Sequence, residues 1–352
     1  MGEIILTGDV NLMNVTDPRA PFRRVRDVFA KADVVFSNFE SCLYRPTGRH
    51  SVGNEGFHAD PEIGGEALRY AGIAAVGLAN NVNYGDAAIT ASVTRLNALG
   101  IPHTGAGRDL AAARAPAIVR KGPLSVGFLQ RSSVYWPTNH EARDDAPGIA
   151  VLRGHTAYHV PMYKTRAEVP PPNRPGLPPD IITWADPAYL ASFVEDIRVL
   201  RRQVDVVVAS CHWGLGEDVL QYMREIAHAA IDAGADIVVG HGPHYSLPLE
   251  NYRGRPIFYG LGSFSFHTGH GGRKHGDWVG MMAHVGFKNG KLDAAAVQFV
   301  RHNDDNETFV SPMTAESEII AIIAKKSAVL GARVDVQSEQ LQLSIHEPLP
   351  NC

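Results

Sequence analysis

Only three cysteines, Cys42, Cys211 and Cys352, occur in 352 residues. They are too few and too dispersed for a disulfide framework or a thiolate metal site, which suits a reducing compartment. No run of about eighteen apolar residues occurs, so no helical membrane span is expected. Met1-Gly2-Glu3-Ile4-Ile5-Leu6 lacks a basic segment ahead of a long apolar stretch, and Leu6 stands where a myristoylation signal needs Ser or Thr. A cytoplasmic protein without a membrane partner is the expectation. Positive charge is not in excess: 33 Lys and Arg against 37 Asp and Glu leave a net charge of −4, with no electrostatic footprint for nucleic acid. There is no internal repeat.

What is present is an alternation of short β-branched runs with amphipathic stretches. Ile4-Ile5-Leu6, Val34-Val35-Phe36, Ile73 to Val76, Val204 to Ala209 and Ile237-Val238-Val239 read as buried strands of an α/β protein. Between the last two, Val219, Tyr222, Met223, Ile226 and Ala230 recur at helical spacing, with Gly234 as a stop. Pro187 opens the preceding helix, whose apolar stripe is Leu190, Phe193, Ile197 and Leu200. A strand-helix-strand unit of this length implies a parallel pair. Ile257-Phe258-Tyr259, Trp278 to Phe287 and Leu292 to Val300 continue as strands, the last two joined by an Asn289-Gly290 hairpin turn, and a helix is predicted over roughly 315–330. The Pro-rich stretch 169–180 reads as a surface excursion of a single domain spanning 1–335, followed by a weakly structured tail over 336–352.

Polar residues collect where the apolar runs end. The turns are Gly8-Asp9-Val10, Asn38-Phe39-Glu40, Asn80-Asn81-Val82, Cys211-His212-Trp213-Gly214 and Gly240-His241-Gly242-Pro243-His244. Ligands and catalytic groups of α/β proteins gather at strand carboxyl ends, so these are the candidate site. Taken in order, and with Thr104-Gly105-Ala106-Gly107 and Glu250 to Tyr259, they resemble the CapA/PgsA group of poly-γ-glutamate capsule synthesis. That group lies within the calcineurin-like metallophosphatase fold. The resemblance, over Asp9 to about Phe266, implies a layered α/β sandwich with two mixed β-sheets flanked by helices.

In the parent fold such residues hold two divalent ions that create a hydroxide nucleophile and brace a phosphoryl group. Asp9, Glu40, Asn81 and His212 stand at ligand positions, but four departures count against the ions. Val82 replaces the histidine expected after the second Asn. The loop is shorter and offers Asn83 where an Asp is usual. The late turn reads Gly242-Pro243-His244 instead of His-Pro-His, and Gly262-Ser263-Phe264 replaces Gly-Asn-Phe. Losing an imidazole deletes a metal–nitrogen bond that outer groups cannot restore. No metal and no cofactor are therefore expected.

Two carboxylates and several imidazoles without ions suit proton transfer, and the departures resemble the metal-independent epimerases of lasso-peptide tailoring. That resemblance implies inversion of an α-carbon in a ribosomal precursor peptide. Asp9 with His244 or His212 would flank the carbon, oriented by Glu40 and Asn81. Asn81, Trp213, His241, His267, Arg273 and Lys274 are the expected substrate contacts, the last three from a basic glycine-rich loop beside the final motif. Cys211 reads more readily as a small hydrophobe than as a thiol acid or base. The competing readings are a metal-dependent phosphoesterase or γ-glutamyl amide hydrolase, and a non-catalytic capsule-assembly or peptide-binding module.

Overall fold

Strand alternation and one bulge decide the architecture seen in the computed structural model, which describes residues 2–46, 56–159, 167–168, 179–269, 273–288 and 290–345. The site is carried by β1 (Gly2–Asn11), β2 (Val34–Phe39), β3 (Ala75–Gly77), β4 (Leu124–Ser132), β5 (Val206–His212), β6 (Ile237–His241) and β7 (Ser263–Phe266). The larger sheet runs parallel through β1, β2 and β3; along the other edge of β1 lie Gly280–Lys288, antiparallel, and then β7, parallel to its end, with Lys291–His302 antiparallel beyond Gly280–Lys288. The second sheet has β4, β5 and β6 in parallel, with Ala117–Lys121 and Leu249–Tyr252 as antiparallel edges.

Alternate side chains of each strand serve different layers, as the two-residue repeat of a pleated strand requires. Ile4, Leu6, Val34 and Phe36 of the first sheet meet Val126, Phe128, Val206, Val208, Ile237 and Val239 of the second. Phe36 and Phe128 stack across this interface with centroids 4.5 Å apart. The intervening positions Ile5 and Val35 pack against Leu68, Ile89 and Leu96, from helices Pro61–Ala71 and Asp86–Leu99. Val207, Ala209 and Val238 pack against Phe193, Ile197, Met223 and Ile226, from helices Pro187–Arg201 and Gln221–Asp232. Each such fully buried side chain contributes about 1.5–3 kcal/mol. The result is helix, sheet, sheet, helix: the layered sandwich with two mixed sheets.

Pro187 does open its helix, with Asp186 accepting from the Ala188 and Tyr189 amides at 3.0 and 3.3 Å. The late helix is Ser317–Val329, entered through a 3₁₀ turn. Residues 169–178, Asn289 of the hairpin turn and the tail beyond 345 lie outside the described residues. Asp180 already begins a strand, Asp180–Ala185, paired with Gly154–His159 in a two-stranded ribbon. The expected loose tail is corrected over its first part. Val334–Gln337 and Gln340–Leu343 form a hairpin that joins the large sheet through Leu341 and Val297. Its turn has Ser338 and Glu339 at φ 48° and 63°. A left-handed turn without Gly or Asn carries none of the usual sequence signal.

Candidate functional site

The inter-sheet layer changes from apolar to polar at one level, the carboxyl ends of the parallel strands. Val34 and Phe36 are followed in the same row by Asn38; Val126 and Phe128 by Gln130; Val206 and Val208 by Ser210 and His212; Ile237 and Val239 by His241. All these polar side chains are buried. On β1 the row would place Gly8 inward, but the register against β2 jumps from Thr7↔Ser37 to Asp9↔Asn38. This extra residue flips the alternation, so Asp9 points inward and Val10 joins the helix-side core. Only glycine fits at 8, because a Cβ there would meet the Gly262 carbonyl oxygen at 2.0 Å.

Hydrogen bonds propagate inward from one backbone amide and fix each amide side chain. The Ala79 N–H donates to Gln130 Oε1 at 2.7 Å, so Gln130 Nε2 donates to Asn38 Oδ1 at 2.8 Å. Asn38 Nδ2 therefore faces Asp9 Oδ1 at 2.7 Å and His212 Nδ1 at 3.4 Å. His212 accepts on Nδ1, so its proton lies on Nε2, which donates to Asn81 Oδ1 at 2.8 Å. Burial holds the His212 pKa down at about 3, against the opposing charge of Asp9, so the ring is neutral.

Beside this closed pair lies an open cluster. Asp9, Glu40 and His244 each offer a ligand atom, and the three lie within 4.8 Å of one another. His244 Nδ1 is 3.2 Å from Asp9 Oδ2, and its Nε2 is 3.7 Å from Glu40 Oε1. The imidazole is turned inward by a left-handed backbone, φ 63°, sparsely populated for a non-glycine residue. Burial works against ionisation of Asp9, but hydrogen bonds and charge from His241 and His244 outweigh it and hold the carboxyl well below its usual range. Burial, then the charge and hydrogen bond of Asp9, push Glu40 well above its own. The pair thus presents one carboxylate and one carboxylic acid to a single imidazole. Among the described residues Glu40 Oε2 and His241 Nε2 have no hydrogen-bond partner, and His241 Nδ1 reaches only Asp9 Oδ1, at 3.5 Å. Buried ligand atoms left open among converging oxygens and nitrogens fit a divalent cation of the Mn, Fe or Zn type.

The four expected catalytic residues come together, with His244 rather than His212 against Asp9. Asn81 is half-buried on His212. Four expected substrate contacts have other surroundings. Trp213 is fully buried among the helix-side residues, where its Nε1 donates to the Tyr259 carbonyl at 2.9 Å. His241 is equally buried behind Asp9, out of reach of any substrate. Lys274 pairs with Asp304. His267 lies against Thr268 and faces His302. Arg273 is exposed. Cys211 is buried on the same face as Trp213, and burial raises its thiol pKa, which removes the acid–base role.

The ligand losses are structural as well as chemical. Val82 is a core residue of the helix-side cluster. A Cβ on Gly242 would meet the Trp213 carbonyl at 2.9 Å and the His212 ring at 3.2 Å, on a backbone at φ 111°. Sequence reasoning placed Asn38 in a candidate turn without giving it a role, and it missed Gln130 and His275. The His275 ring lies 5.5 Å from that of His244, and its Nε2 is 3.5 Å from Ser263 Oγ. With Lys274, Asp277, His302 and Asp304 it lines a cleft of about 490 Å³. The strand-row continuation of Asn38 and Gln130 was a usable signal; His275 had none beyond its neighbouring histidines.

A family model described as bacterial capsule synthesis protein PGA_cap matches residues 1–268. A probable polyglutamine synthesis accessory protein of Mycobacterium tuberculosis is 33% identical over 192 residues, covering 53% of this chain and 43% of that protein. The PGA biosynthesis protein CapA of Bacillus subtilis is 42% identical over 99 residues, 28% of this chain and 24% of its own. The capsule biosynthesis protein CapA of Bacillus anthracis is 25% identical over 254 residues, 70% of this chain and 54% of its own. The chain spans about half the length, or less, of these relatives. A crystal structure of a hypothetical protein from Thermus thermophilus aligns with 86% of this chain and 100% of its own, at 14% identity and a TM-score of 0.48. With residues 1–268 of 352 inside the family model, the chain belongs to the bacterial capsule synthesis PGA_cap family.

Proposed function

We propose that this chain is a hydrolase that works with one divalent cation rather than two, on an amide of an acidic, glutamate-type polymer. One observation carries the reading: Asp9, Glu40 and His244 converge with open ligand atoms around them, while His212 and Asn81 satisfy each other. Asp9, Glu40 and His244 would hold the cation, which supplies Lewis acidity to the bond being cleaved. Asp9, held well below its usual range, would bind as the carboxylate, and Glu40 would have to give up its proton to serve as a ligand. His212 is neutral and its Nε2 proton is given to Asn81 Oδ1, so this pair would stay closed beside the cation. The resemblance to poly-γ-glutamate capsule synthesis, with relatives named for capsule and polyglutamine synthesis, supports a glutamate-type polyamide as the substrate class. No helix of the described residues is long and apolar enough to cross a membrane.

The test is turnover of γ-linked oligoglutamate, followed by chromatography of chelator-stripped protein with and without added Mn²⁺ or Zn²⁺. Cation-dependent cleavage that disappears in Asp9→Asn supports the proposal; cleavage at an equal rate in chelator overturns it.

A second reading is favoured by one separate observation. Anionic Asp9 and protonated Glu40 flank opposite nitrogens of His244, which supplies an acid and a base without any ion. That arrangement suits α-proton exchange in a precursor peptide. Deuteration of a peptide α-carbon in deuterium oxide under chelation would select epimerisation over hydrolysis.

A further inference from the structure

The segment 133–140, which follows β4, touches both members of the Asn81–His212 pair through backbone rather than side chains. The Ser133 N–H donates to the His212 carbonyl at 2.8 Å. Trp136 Nε1 donates to the Asn81 carbonyl at 2.9 Å. His140 Nδ1 accepts from the Trp136 N–H at 3.0 Å, so its proton lies on Nε2, which donates to the Asn83 carbonyl at 3.0 Å. The two rings therefore grip the carbonyls on either side of Val82. Between them, the Tyr84 ring stands edge-on to Trp136 and to His140, at 6.0 and 5.1 Å, and its hydroxyl donates to the Thr138 carbonyl at 3.2 Å.

The inner side of the same turn is held by its own asparagines. Asn80 Nδ2 donates to the Phe39 carbonyl, Asn83 Nδ2 to the Leu78 carbonyl and Asn83 N–H to Asn80 Oδ1, each at 3.0 Å. These bonds hold positions 80 and 83; nothing in them fixes the rotation of the Asn81 peptide. Trp136 supplies that constraint. Asn81 is half-buried, so its side chain would otherwise have water as an alternative partner.

We propose that Trp136 and His140 are positioning residues that set Asn81 against His212 Nε2 and so, together with Asn38 on Nδ1, lock His212 in the tautomer protonated at Nε2. The pocket is that of the proposed hydrolase, but the ring-nitrogen readout does not depend on turnover. A residue that orients a site group through hydrogen bonds typically changes activity or affinity by about 10- to 100-fold when removed.

The experiment uses full-length protein with ¹⁵N-labelled histidine, and the His212 ring signals are assigned by their absence in His212→Gln. Trp136→Phe keeps an aromatic ring and removes only the N–H donor. In Trp136→Phe and in His140→Gln, the separation between the two His212 ring nitrogens should narrow as a fixed tautomer becomes an exchanging mixture. Asn81→Ala should give the same change and serves as the reference. Tyr84→Phe, which removes one hydroxyl contact, gives a smaller change in the same direction and replaces His140→Gln if that variant does not fold. Unchanged His212 signals in Trp136→Phe, alongside shifted signals in Asn81→Ala, would overturn the inference. Where wild-type protein hydrolyses oligoglutamate, kcat in Trp136→Phe should fall about tenfold at constant KM. If wild-type protein shows no turnover, the hydrolase proposal fails while the ring-nitrogen readout still decides this one.

Discussion

Asp9 and His244 come from turns more than two hundred residues apart, yet the carboxylate Oδ2 lies 3.2 Å from the imidazole Nδ1. The contact depends on two backbone departures, the bulge at Gly8 and the left-handed conformation of His244. Each removes a residue from its regular geometry to deliver a side chain to the same point.

Restoring the lost ligand at position 242 should fail. Gly242→His places a Cβ against the Trp213 carbonyl and the His212 ring on a glycine-favouring backbone. Destabilisation of about 1–3 kcal/mol is expected, with no gain in bound cation. Urea unfolding and metal analysis of the variant check both halves.

Stability should decline in mild acid. Burial, opposed by the hydrogen bond to Asn83, depresses the His140 pKa from 6.5 to about 4, and His212 is lowered to about 3. The unfolded chain binds these protons near pH 6.5 and the folded chain does not. The stabilisation is therefore complete above 6.5 and is lost as pH falls toward the folded values. The contribution of His140 is on the order of 3 kcal/mol. The difference in denaturation midpoint between pH 7 and pH 4.5 should shrink in His140→Gln.

Trp213 should behave as a core residue. Its ring is fully buried and donates to Tyr259. Trp213→Ala is expected to cost about 3–5 kcal/mol of stability. A folded variant of wild-type stability with only a raised KM would return Trp213 to the pocket wall.

Lys274 should matter little. It is exposed and engaged with exposed Asp304, so Lys274→Ala should change stability by less than about 1 kcal/mol. KM for an anionic substrate should stay within twofold. A tenfold rise would show that the lysine leaves Asp304 to meet the substrate.

The residues that were legible in the sequence were those at the ends of apolar rows. Asp9, Glu40 and His244 belong to turns that directly follow strands, and the layered fold follows from the same alternation. Trp213 was misplaced by its adjacency to His212, when parity sets it apart. Val207, Ala209, Cys211 and Trp213 form one face toward the helices, and Val206, Val208 and His212 the other. The same rule accounts for Cys211, expected to be a small hydrophobe and buried on the helix side. His140 and Trp136 had no spacing signature, because they act through backbone carbonyls of a turn more than fifty residues earlier in the chain. The terminal hairpin was hidden by its turn, although Gln340-Leu341-Gln342-Leu343 has the two-residue alternation of a half-buried edge strand.

On the one-cation reading, His212 and Asn81 close one half of the site, while Asp9, Glu40 and His244 leave the other open. That reading is tested most directly by counting metal after chelator-stripped protein is reloaded with Mn²⁺ and freed of excess. One ion per chain is expected, lost in Asp9→Asn and retained in Asn81→Ala. Two ions per chain, or none in the wild-type protein, would contradict it.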